Sequence, residues 1–240
     1  HLYRPTPSDA RAVASAAVVV LSGHGLEGWM GDLASATRGV VVDAGASVPP
    51  LRDEGAHGAY DPHYWHDPVL WQVAVGALEV ELARVFPAHA AGVRDRGQAY
   101  RATLGRLDAW AAEQIDTIPS QQRVLVTSHD AFRYFGARYG LQVRGLVGIS
   151  TESEASQSDV AATIDLIRAE RVPAVFVETS VNPALIERVA RETGVTRAGP
   201  LYADSLGAAG DPGATYVTMF AENVRMVVEG LGGTWTAFSQ

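Results

Sequence analysis

The chain has 240 residues, 47 % of them apolar and 19 % charged, with a net charge of −8 that arises from 27 acidic residues against 19 arginines. That hydrophobicity excludes a disordered chain and allows one large domain or two lobes to bury about 70–75 % of the unfolded surface. An acidic chain with no basic stripe argues against nucleic acid as a partner, and zero cysteines exclude disulfides and thiolate metal sites.

Residues 2–8 read as extended, because Pro5 and Pro7 restrict the backbone, and Ser8 is placed to cap a short helix over Asp9–Ala16. The apolar β-branched run Ala17–Leu21 reads as a buried strand, Leu26–Ala34 as a helix, and Gly39–Val42 as a second strand. Asp43–Pro62 is polar and rich in Gly and Pro, so it reads as a long loop of the kind that carries function. Pro68 opens a helix to about Phe86. A longer helix is expected over His89–Ile118, where Tyr100, Leu104, Leu107, Trp110, Ala111 and Ile115 make one apolar stripe. At ~1.5 Å per residue it would be about 45 Å long, more than one lobe needs.

Beyond Pro119 strands and helices alternate. Strands are expected over Val124–Thr127, Val143–Ile149, Ala174–Val177 and Gly199–Tyr202, and helices over Asp130–Tyr139, Ser156–Arg168, Pro183–Thr193 and Ala214–Leu231. This is the pattern of a parallel α/β layer, whose ligands collect at the carboxyl ends of the strands. The reading is therefore α/β: a lobe over residues 1–88, a connecting helix over 89–118 and a second lobe over 119–240. The opening at His1 without an initiator Met reads as the middle of a domain, with an upstream segment expected.

Of the seven histidines, His1, His63 and His129 stand at element boundaries, where a rigid scaffold can aim a side chain, and Asp204 follows the last strand. Three imidazoles and a carboxylate would make a four-ligand N/O metal site, although spacings of 62, 66 and 75 residues are weak support by themselves. Ser128-His129-Asp130 is not a catalytic triad, because neighbours leaving a strand point in different directions, and neither G-x-S-x-G nor G-x-G-x-x-G nor a P-loop occurs.

Asp61-Pro62-His63-x-Trp65-x-Asp67-Pro68 resembles the DPHxWxDP signature of the zinc/manganese solute-binding proteins of bacterial ABC importers, the TroA-like (cluster A-I) family. Four more stretches match in order: His1-x-Tyr3-x-Pro5-Thr6-Pro7-Ser8-Asp9, Ser22-Gly23-x-x-Leu26-Glu27-Gly28-Trp29, Thr127–Phe135 and Leu201-Tyr202-x-Asp204-Ser205-Leu206-Gly207. Gly148–Glu152 and Phe176-x-Glu178 agree as well, so the resemblance covers nearly the whole chain.

The resemblance implies two α/β lobes joined by a long rigid helix. It implies one metal ion held by His1 and His63 from the first lobe and His129 and Asp204 from the second. It further implies an extracytoplasmic receptor, periplasmic or surface-anchored through a lipidated Cys upstream, acting as a monomer that delivers its metal to a membrane permease. Zinc suits three imidazoles and one carboxylate, and manganese-selective members of the family often carry Glu where this chain has His129. Manganese is the alternative cargo. A surface adhesin and a zinc hydrolase with an open coordination position and Glu178 as base are the other readings weighed. His24 and His66 depart from the family pattern and read as surface residues or neighbours of the site, His57 as a solvated loop residue, His89 as a polar helix-start residue, and Glu152 and Glu154 as exposed. Metal affinity is expected to fall below about pH 6, near the ordinary histidine value.

Overall fold

A computed structural model describes residues 3–52, 60–149 and 155–239; His1, His57, Glu152 and Glu154 lie outside the described residues. The chain divides into two compact units, His1–Gly105 and Arg106–Gln240.

The first unit opens with helix α1, Pro7–Ser15. Its cap is Thr6 rather than the expected Ser8: the Asp9 carboxylate accepts from the Thr6 backbone N–H at 2.7 Å, and Asp9 N–H donates to the Thr6 hydroxyl at 3.4 Å. This reciprocal capping box explains the start two residues earlier. Strands β1 (Val18–Leu21) and β2 (Val40–Asp43) pair in parallel. The expected helix over Leu26–Ala34 is broken into a 3-10 turn, Gly28–Met30, and a short helix α2, Gly31–Ser35. Two glycines weaken helix propensity there, and the Glu27 carboxylate turns back to accept from Ser22 N at 2.6 Å and Gly23 N at 3.1 Å. The long loop contains a 3-10 turn, Ala44–Ser47, and is drawn together at Arg52 and Tyr60 by an antiparallel bridge. Helix α3 runs over Pro68–Val85, and the Asp67 carboxylate caps it by accepting from Val69 N at 2.8 Å and Leu70 N at 3.3 Å.

Helix α4, Ala90–Asp116, begins in the first unit and ends in the second. It realises the long helix expected from the apolar stripe, with Leu104, Leu107, Ala111 and Ile115 buried; the residues before it, Pro87–His89, form a 3-10 turn.

The second unit is a four-stranded parallel sheet in the order β4-β3-β5-β6, with β3 Val124–His129, β4 Gln142–Val147, β5 Ala174–Glu178 and β6 Thr196–Leu201. Helices α5 (Arg133–Tyr139), α6 (Gln157–Glu170), α7 (Ala184–Thr193) and α8 (Tyr216–Gly230) complete it. The central strands β3 and β5 are buried at every residue, as parallel strands covered on both faces must be. Val126, Val175 and Val177 pack with Ile164 and Ile167 of α6 and Ile186 and Val189 of α7. Phe135 meets Tyr139 and Phe220 at ring distances of 5.0 and 6.0 Å. The C-terminal tail is tied along α4: Thr236 N–H donates to Gln114 Oε1 at 2.8 Å and Trp110 Nε1–H to the Thr236 carbonyl at 3.0 Å. Helix α5 starts at Arg133 instead of Asp130, because residues 130–132 form a turn in which Ala131 N–H donates to the His129 carbonyl at 3.0 Å.

Candidate metal centre

In the second unit the sheet order explains how distant residues meet. Strands β3 and β5 are neighbours in parallel register, Val126 opposite Val175 and Thr127 opposite Phe176, so their carboxyl ends lie side by side. His129 is the last residue of β3 and Glu178 the last of β5. Glu178 grips His129 twice: its Oε1 accepts from the His129 backbone N–H at 2.9 Å, and its Oε2 makes a short contact with the imidazole Nδ1. A carboxylate can only accept, so Nδ1 carries the proton and the ring orientation is fixed. The other ring nitrogen, Nε2, lies 3.4 Å from Asp204 Oδ1.

Asp204 sits beyond β6, in a segment fixed by Asn223 of α8. The Asn223 amide accepts from Tyr202 N–H and donates to the Tyr202 carbonyl, both at 2.8 Å, and Ser180 Oγ–H donates to Asp204 Oδ2 at 3.2 Å. Gly145 on β4 is obligatory beside this site: a Cβ there would lie 2.5 Å from Asp130 N, where the chain leaves His129.

The electrostatics follow from this enclosure. His129 is fully buried, and burial disfavours its charge, but Asp204 and Glu178 outweigh that and push its pKa up to about 10 in the metal-free protein. The raised value favours an imidazolium between the two carboxylates in the metal-free protein.

In the first unit His63 is also fully buried, within the 61–68 segment read from the sequence. Asp61 Oδ1 accepts from the His63 backbone N–H at 2.9 Å and faces its Nδ1 at 2.8 Å. The second unit's arrangement is thus repeated: a buried carboxylate holds both the backbone and the Nδ1 of a histidine, which fixes the ring and leaves Nε2 as its other donor atom.

Of the four residues expected to bind metal, the structure brings His129 and Asp204 together in the second unit and places His63 in the first, while His1 lies outside the described residues. Sequence reasoning offered Glu178 as a base or a brace; both its oxygens are occupied by His129, which makes it a brace. It missed Asp61 and Asn223. The signal for Asp61 was a carboxylate two residues before a signature histidine; for Asn223, a polar residue on the buried face of an amphipathic helix, only the fold supplies one. His66, read as a surface residue or a neighbour of the site, is fully buried in the 3-10 turn Tyr64–His66. Glu178→Gln is expected to weaken metal binding about 10–100-fold, because the amide offers one acceptor oxygen where two are used; chelator competition measures it.

The family described as "Zinc-uptake complex component A periplasmic", ZnuA, matches residues 1–230. The manganese-binding lipoprotein MntA of Bacillus subtilis is 38 % identical over 240 residues, 96 % of this chain and 78 % of the relative. The zinc-binding protein TroA of Treponema pallidum is 36 % identical over 239 residues, with 96 and 78 % covered. Its solved structure superposes with a TM-score of 0.90 at 34 % identity, covering 96 % of this chain and 86 % of that one. The iron-binding protein YfeA of Yersinia pestis is 33 % identical over 235 residues, with 97 and 76 % covered.

Proposed function

Since the chain belongs to the ZnuA family of metal-binding substrate-binding proteins of ABC transporters, we propose that it captures Zn2+ outside the cytoplasm and delivers it to a membrane permease. Members of this family are transport receptors rather than enzymes. The ligands we assign are His63 from the first unit and His129 and Asp204 from the second, with His1 as the fourth; the lobes are those read from the sequence, joined by the long helix. The observation that carries the reading is the His129 imidazole fixed by Glu178 with its Nε2 3.4 Å from Asp204.

The chemistry is capture and release, with no bond made or broken in the cargo. His63 and His129 each have Nδ1 committed to a carboxylate, so each offers Nε2 without searching for a tautomer. Imidazole-rich N/O ligation suits zinc over manganese, and the Irving–Williams order favours zinc at the same donors. The relatives named for manganese, zinc and iron show that this scaffold serves several cations, so the donor set carries the choice of zinc. A hydrolase would need a free general base at the metal, and Glu178 is occupied on both oxygens. No helix among the described residues is long and apolar enough to cross a membrane. The receptor works as a single chain and reaches the membrane through its permease or through an anchor such as the lipoprotein relatives' names denote.

Elemental analysis combined with competition between zinc and manganese tests the reading. About one zinc per chain, not displaced by excess manganese, is the expected result. Retention of manganese in the presence of equimolar zinc would overturn the choice of cation, and failure to bind either would overturn the site.

A further inference from the structure

The loop Ser22–Gly25 holds an unusual backbone. Gly23, His24 and Gly25 have φ of 89°, 52° and 84°, three successive residues on the left-handed side. Glycine adopts this freely, but His24 does so against the preference of an L side chain. The other described non-glycine residue with positive φ, Arg171, caps the C-terminus of α6, where that conformation is customary; His24 ends no helix.

The His24 ring occupies the junction of three loops. Its Nε2 lies 3.0 Å from the Gly45 carbonyl, just past β2, and its Nδ1 lies 3.4 Å from the Asp61 carbonyl. Tyr64 stands edge-on at 5.4 Å and Tyr60 is tilted at 6.0 Å. The fit is close: a Cβ on Gly45 would lie 3.3 Å from His24 Cδ2 and 2.5 Å from the Ser22 carbonyl. The loop's own N–H groups at Ser22 and Gly23 are held by Glu27, so His24 projects from a fixed base.

We propose that His24 is a positioning residue for metal capture: it holds the Asp61 main chain against the ends of β1 and β2 and thereby fixes the carboxylate that orients His63. This rests on the reading of His63 as a ligand. Asp61 acts on His63 through one side-chain oxygen, at 2.9 Å to the backbone N–H and 2.8 Å to Nδ1. A shift of the Asp61 main chain therefore moves the His63 ring directly. The backbone at His24 is unfavourable for an ordinary side chain, and a ring that donates its one N–H to one of the two carbonyls it faces while packing against Tyr60 and Tyr64 is what offsets it. The sequence carries the same suggestion, since Gly-His-Gly places the one side chain of the turn between two residues free to adopt any φ.

Two substitutions test this without introducing backbone strain. His24→Gly keeps the left-handed turn and removes the ring. His24→Asn also accepts the turn and leaves a donor near the place of Nδ1. Zinc affinity, measured by chelator competition, is expected to fall about tenfold in His24→Gly and less in His24→Asn. In the metal-free protein labelled with 15N-histidine, the His63 Nδ1–H signal is expected to shift or broaden in His24→Gly and to recover partly in His24→Asn. A role confined to packing would lower the melting temperature while leaving the zinc affinity and the His63 signal as in the unaltered protein, and that result overturns the proposal. A changed affinity with an unchanged His63 signal also overturns it. His63→Ala separates the two readings: wild-type zinc binding in that variant would remove His63 from the metal site, whereas the His63 signal in the His24 variants, which keep His63, still reports on the His24 brace.

Discussion

Zinc binding is expected to weaken by roughly 10²–10³-fold when His129 is replaced by alanine. The figure comes from sharing the ~10–16 kcal/mol of a four-ligand zinc site equally, which gives about 2.5–4 kcal/mol per ligand, at ~1.4 kcal/mol per decade. The substitution has a second effect. Glu178 is only 4 % exposed, and without His129 its carboxylate loses both the partner at Nδ1 and the charge it faces. Breaking one side of a buried pair costs about 3–5 kcal/mol, so the metal-free His129→Ala protein is expected to melt well below the unaltered one. Asp204→Asn disturbs the fold less. It keeps the shape of the side chain, leaves the Glu178–His129 pair intact and removes the ligating charge, and the Asp204 side chain is itself 14 % exposed. It is expected to lose zinc by a comparable factor and to lower the melting temperature less than His129→Ala does, because the Glu178–His129 pair remains while one of the two carboxylates that hold the imidazolium is lost. Zinc binding by Asp204→Asn at the original affinity, measured by competition with a chromophoric chelator, would remove Asp204 from the ligand set.

Zinc binding is expected to release close to one proton per ion from His129 at pH 7.5, and apparent affinity to climb about tenfold per pH unit until His129 loses its proton near pH 10. The sequence alone places the loss of affinity below about pH 6, at the ordinary histidine value. The structure moves the competition upward, because Asp204 and Glu178 together hold the imidazolium against the opposing effect of burial. Titration calorimetry in two buffers of different ionisation enthalpy at pH 7.5 counts the released proton. For the metal-free protein the sign is that of a raised pKa. The stabilisation by this charge cluster is fully present below the unfolded value of 6.5 and is lost as pH rises through about 10. Urea melts of the metal-free protein at pH 6.5 and pH 10.5 should show it. A proton count near zero at pH 7.5 would mean that His129 is neutral before the metal arrives.

What the sequence determined by itself is the part that depends on local order. Short apolar runs placed the strands, most plainly β3 and β5, because a strand buried on both faces must be apolar; β1, β2 and β4 are only partly buried, with Val41 exposed and Val20 exposed where the sequence reads a buried strand. A stripe at three- and four-residue steps placed α4. The ordered motifs named the family, and with it His1, His63, His129 and Asp204 as the candidate ligands. Local pattern was less reliable where side chains compete for backbone groups. Thr6 rather than Ser8 caps α1 because Asp9 answers Thr6, and the helix expected after Leu26 is cut short where Glu27 holds Ser22 and Gly23 instead. Only the tertiary structure decided what surrounds His63, His129 and Asp204. Glu178 lies 49 residues from His129 and reaches it because β5 pairs with β3, a consequence of strand order that no spacing reveals. Asn223 holds the Asp204 segment from the buried face of α8 by the same kind of long-range adjacency. The pKa of His129 and the bracing geometry of His24 also lie outside what a sequence can show. Both depend on which carboxylate or carbonyl oxygens the fold brings within ~3 Å of a ring nitrogen, and hydrogen bonds and charge interactions fall off steeply beyond that range.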